Sequence, residues 1–145
     1  MVSAFAHLPY RQQRNQELLH RLSGGILTLK LDAQGRAGAG DPGAHVVRAA
    51  RGDIAAFLAD LAPQIRAMAG APTGVALDLA FSGLAARVAR DAQGGVEDRL
   101  AQYAQLREHL LDDTPLSFRH YHALDRLQAL LEEETADDVR GLFRF

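Results

Sequence analysis

The side chains best equipped for chemistry are histidines of the C-terminal third, where His120 and His122 flank Tyr121 and Asp125 follows. Imidazole ligates transition metals and carries protons near neutral pH, so a His-x-His pair beside a carboxylate invites a metal reading. Spacing opposes it: on a helix, residues two apart point about 200° from each other, and both rings reach one ion only if the segment is extended. His109 and Asp113, four apart, would share a helix face, but they straddle an expected helix end. Solvated or capping histidines account for the same letters.

Other chemistries fare no better. Ser82, in Phe81-Ser82-Gly83, lies at a strand end, yet the Gly-x-Ser-x-Gly spacing that exposes a nucleophile is absent. Asp78 falls on the polar side of an expected strand, where an exposed carboxylate is the simpler reading than a general base. Gly38-x-Gly40-x-x-Gly43 matches the dinucleotide fingerprint by letters. That motif must follow a strand directly and open a helix, whereas a hairpin turn precedes these glycines and Pro42 interrupts them. Arg51-Gly52-Asp53 reads as a turn with a helix cap. No catalytic, cofactor-binding or metal-ligating residue is therefore assigned. The enzyme alternative, metal- or ligand-dependent, would use the region of His109, His120 and His122.

The 145 residues carry 48% hydrophobic and 23% charged positions, a net charge of -2, and no Cys. This is the composition of one globular domain. Without Cys, disulfides, thiolate metal sites and thiol nucleophiles are excluded. Fifteen of the sixteen basic residues are Arg, a bias that reads as GC-rich coding. Bases outnumber acids seven to three over residues 1–51, and acids outnumber bases eight to four over 112–145. Such asymmetry suits partner steering or a solvated surface, and the net acidic charge argues against nucleic acid as a partner. No apolar run reaches the roughly 18 residues of a membrane span, and the first eight residues lack the pattern of a secretion signal, so the cytoplasm is the expected location.

The elements that would position these residues follow from periodicity. Pro9 and Leu18, Leu19 and Leu22 predict a helix over about 9–22, stopped by Gly24-Gly25. Alternation of Leu27, Leu29 and Leu31 with Thr28 and Lys30 predicts a strand over 26–31, turning at Asp32-Ala-Gln-Gly35 into a short return strand over 36–40. Residues 45–50 lean to strand. Ile54, Phe57, Leu58, Leu61, Ile65 and Met68 predict a helix over 54–69, capped by Asp53 and kinked or restarted at Pro63. Residues 75–81 and 84–90 read as a hairpin. Helices follow over 96–111 and, from Thr114-Pro115, to about 133, with Thr135-x-x-Asp138 opening a last short one. The expected fold is α+β: a single domain with a small antiparallel sheet of about four or five strands packed with helices and a helical C-terminal third, where 114–145 could form an extension.

The tail from Val139 to Phe145 holds four apolar residues in seven. It either covers the domain's own core or docks in a partner's groove. The partner-binding candidates are Val139, Leu142, Phe143 and Phe145, with Val75 and Leu77 on the hairpin.

Glu17-Leu-Leu-His-Arg-Leu22 leading to Leu27-Thr-Leu-Lys-Leu-Asp-Ala-Gln-Gly35, followed by helix, hairpin and helix, resembles class I type III secretion chaperones of bacteria. The resemblance covers about residues 9–111 and implies a small cytoplasmic homodimer that holds an extended segment of a protein partner. The spacing from Asp32 to the second helix is short for that family. The opening is also similar to roadblock-type domains, which implies a regulatory scaffold. The functional expectation is a non-catalytic protein-binding or adaptor domain with no cofactor and no membrane partner.

Overall fold

The computed structural model describes residues 7–35, 41–70, 80–92 and 94–142. They form five helices: α1 (His7–Ala33), α2 (Asp41–Gly70), α3 (Ser82–Asp91), α4 (Val96–Leu111) and α5 (Phe118–Leu142). Among the described residues there is no strand, and the expected α+β class is overturned.

The strand expected over 26–31 is the C-terminal part of α1. Two patterns compete there and share Leu29: alternation through Leu27, Leu29 and Leu31, and a helical stripe through Leu22, Ile26 and Leu29. Burial decides for the stripe, since Leu22, Ile26 and Leu29 are in the core while Leu27 is 57% exposed. Gly24-Gly25 does not end the helix. Each glycine costs a helix interior about 1 kcal/mol, but Gly25 lets α1 approach α2 closely: a Cβ there would lie 3.2 Å from Ile54 Cδ1.

The same competition explains residues 84–90. Leu84, Ala85 and Val88 are buried, a spacing of one, three and four that only a helix places on one face. The hairpin partner is therefore α3, while residues 75–79 lie outside the described residues. Residues 45–50, read as strand, are early turns of α2. Asp53, read as a cap, is consequently interior to that helix. Pro63 also stands inside α2, which continues to Gly70. Beside it, Gln64 Nε2 donates to the Asp60 carbonyl at 3.3 Å and Gln64 Oε1 accepts the Phe81 N–H at 2.6 Å, tying α2 to the start of α3.

Residues 96–111 form α4 as expected. The last helix starts later than Thr114 and does not stop at 133. Thr135, expected to open a new helix, instead donates its hydroxyl to the Glu132 carbonyl at 2.9 Å within α5. The acids there, unfavourable at a helix end, face Arg87 of α3, which contacts Glu133, Glu134 and Asp137.

Helix α2 is the centre, packed on α1, α3 and α4, while α5 closes over α1 and α3. Arg51 meets Leu110 and Arg66 meets Glu97, so α2 and α4 run antiparallel. Arg87 meets Glu134 and Asp91 meets Arg126, so α3 and α5 do too. Leu58, Leu61, Ile65, Val88, Leu106, Leu124, Leu127 and Leu131 fill the centre of the bundle.

Candidate functional site

Arg51, eleventh residue of α2, reaches the end of α4 and the turn before α5. A helix end leaves carbonyls without partners, and here one side chain takes them. The buried Arg51 guanidinium, 7% exposed, donates to the carbonyls of Leu110 at 3.0 Å, His109 at 2.5 Å and Thr114 at 2.6 Å. Its cation also suits the negative end of the α4 macrodipole. Asp113, at 3.7 Å from Arg51 Nε, adopts the left-handed conformation with φ +61°. Asp112 Oδ1 accepts the amide of Thr114 at 3.0 Å and its hydroxyl at 2.5 Å, which holds the Asp112 carboxyl below its ordinary range. Thr114 is thus bound into the turn, and Ser117 rather than Thr114 caps the last helix.

Ser117 and His120 close the first turn of α5 reciprocally. The His120 amide donates to Ser117 Oγ at 3.3 Å, and the Ser117 amide donates to His120 Nδ1 at 3.3 Å. This is the capping-box arrangement with imidazole where Glu or Gln usually stands. His120 packs edge-to-face on His109 of α4, with ring centroids 4.7 Å apart at 86°. Desolvation, and then the His109 ring, push the His120 imidazole below its ordinary value. The His109 Nδ1 atom is buried without a hydrogen-bond partner among the described residues.

Both rings border an open groove of about 870 Å³, lined also by Arg99, Gln102, Gln105, Ser117 and Arg119. Tyr103 stands on the same helix with its hydroxyl buried and unpartnered among the described residues. Burial pushes that phenol up, opposed by Arg99.

Among the described residues, three large apolar side chains of α2, α4 and α5 meet solvent. Phe118, the first residue of α5, is 86% exposed; Leu111, the last of α4, is 57% exposed, and Val46 of α2 is 54% exposed. Leu111 and Phe118 flank the turn that Arg51 grips, and Val46 lies five residues, about 7 Å along the helix axis, before Arg51 on α2. Exposed charges of both signs border them, with Asp112 and Asp113 beside Leu111, Arg119 beside Phe118, and Arg48 on α2.

The residues singled out in the sequence are distributed unevenly. His109 and His120 come together, although eleven positions separate them. His122 is exposed and borders a different crevice, with Asp91 and Arg126. Asp125 pairs with Lys30 at 2.8 Å, and Asp113 turns to Arg51 rather than to His109. Among the described residues, no group of three or more His, Asp or Glu is arranged to hold a metal ion. Ser82 opens α3, and Gly43 sits in the first turns of α2; Gly38, Gly40 and Asp78 lie outside the described residues. Of the partner-binding candidates, Val139 and Leu142 fall in the last turns of α5, while Val75, Leu77, Phe143 and Phe145 lie outside the described residues.

Sequence reasoning missed Arg51, Phe118 and the capping role of Ser117. A Ser three positions before His120 was the available signal, hidden by the stronger Thr114-Pro115 pattern.

Compared with known protein families, curated proteins and solved structures, the chain matches none. The segments that carried the resemblance to secretion chaperones, 27–31 and 84–90, are helical, so the strands on which that mode of binding depends are not found there. No helix among the described residues is long and apolar enough to cross a membrane.

Proposed function

We propose that this chain is a helical protein-binding module of the cytoplasm that pairs with a second copy of itself through the bundle end carrying Val46, Leu111 and Phe118. The observation that carries the reading is Phe118, a ring 86% exposed at the first position of a helix whose following turns bury His120, Ala123 and Leu124. Exposing a phenylalanine forgoes roughly 1.5–3 kcal/mol of burial, and a contact surface recovers it. Charges support a copy of the same chain as the occupant. A two-fold interface places one surface against itself, so it needs both signs around its apolar centre. Exposed Asp112, Arg48 and Arg119 supply both signs.

Light scattering on the eluting protein tests this. At micromolar concentration the chain should show twice its 15.7 kDa mass, and Phe118→Asp should return it to the single-chain value. The substitution leaves the fold within about 0.5 kcal/mol, because the ring makes few contacts and an acid suits the first turn of a helix. A wild-type monomer, or a dimer indifferent to Phe118→Asp, would contradict the reading.

A further inference from the structure

We infer that His109 and His120 form a pH-sensitive latch on the first turn of α5, in which protonation of His120 removes the acceptor that closes the turn and loosens the segment carrying Phe118. The latch stands on the geometry at Ser117; only its effect on pairing rests on the function proposed above.

His120 Nδ1 accepts the Ser117 amide at 3.3 Å, so the ring carries its proton on Nε2 in the latched state. A second proton turns that acceptor into a donor aimed at another donor. The new charge would also sit in an unfavourable place. His120 is 5% exposed, lies edge-to-face on His109, and occupies the positive end of α5.

The surrounding groups add little to offset this. Arg119 neighbours the ring on α5 itself, and His109 faces it from α4. Arg51 of α2 grips the His109 carbonyl. Asp98 and Arg99 line the same groove with opposite charges. The Asp112 carboxylate, in the turn after α4, has its Oδ1 bound to Thr114. Helix α1 meets this part of α5 at Tyr121, whose hydroxyl donates to the Leu29 carbonyl, and through the pairing of Lys30 with Asp125. On α3, Arg87 and Asp91 engage Glu134 and Arg126, further along α5.

The direction follows from linkage. Because the folded state holds His120 below its ordinary value, the unfolded chain binds this proton first. The stabilisation is complete above about pH 6.5 and drains as pH falls through the folded value. The latch opens on acidification.

Hydrogen exchange read by mass spectrometry over residues 116–123, at about pH 7.5 and pH 5.5 with intrinsic rates corrected, tests this in parallel with light scattering. In the wild type, opening of that segment should become about fivefold easier in acid relative to the rest of α5. His120→Gln restores the usual capping-box residue and does not titrate, so its protection should be equal at both pH values. Equal protection in the wild type, or acid loosening that persists in His120→Gln, would overturn the latch. Should that variant not fold, ring titration by NMR decides: a His120 midpoint below about 6.5 that coincides with loosening supports the latch, and a midpoint at or above it overturns it. If the segment opens while the dimer is unmoved, the latch is supported and the pairing surface is what fails. If a dimer dispersed by Phe118→Asp has a segment that stays closed in acid, the pairing surface stands and the latch fails.

Discussion

At the scale of single residues, Arg51 is the position where sequence and structure differ most in consequence. In the sequence it is part of a turn-like Arg-Gly-Asp; in the fold it is a buried cation closing the end of α4 and the turn beyond. Arg51→Met should leave the His109, Leu110 and Thr114 carbonyls without their donor and cost about 2–4 kcal/mol in urea unfolding. Arg51→Lys should recover only part, since an ammonium cannot reproduce the planar fork. Asp91 carries a second expectation. Hydrogen bonds from Arg126, and then Arg99, hold its carboxyl below the usual range. Its contribution is therefore present above about pH 4 and is lost below it, and Asp91→Asn should flatten that part of the acid unfolding curve. None of these partners was legible in the sequence, because each pair joins different elements, Arg51 to the end of α4 and Asp91 to Arg99 and Arg126. The histidines were legible as chemically capable residues, and their pairing was not.

At the scale of elements, α4 was readable because Leu100, Tyr103, Leu106 and Leu110 repeat at helical spacing with no competing pattern, and the core of α2 for the same reason through Ile54, Phe57, Leu58, Leu61 and Ile65. The strands failed where six or seven letters satisfied two periods at once and glycines tipped the reading. Long-range burial of Ile26 and Val88, rather than local preference, settles those segments. Gly24 and Gly25 separate the two readings experimentally. In a continuous α1, Gly24 is exposed with open space around an added Cβ, so Gly24→Ala should stabilise by about 0.5–1 kcal/mol. Gly25→Ala gains the same helical preference but must displace Ile54 by a few tenths of an ångström, so it should gain less or lose. Thermal unfolding of the two variants checks this; a loop at these positions would show no such contrast.

At the scale of the whole molecule, α2 is the post against which α1, α3 and α4 lie, and α5 ties α1 to α3 with ion pairs at Lys30, Arg87 and Arg126. Arg51 joins α2 to the end of α4 and the turn before α5, and Leu111 and Phe118 on either side of that turn face solvent. The most direct measurement is hydrogen exchange of the wild-type chain at neutral pH as a function of its own concentration. Dilution should release protection in peptides containing Val46, Leu111 and Phe118, leaving those of α3 and the centre of α5 unchanged. Protection that does not depend on concentration, or that is released elsewhere on the bundle, would contradict the account.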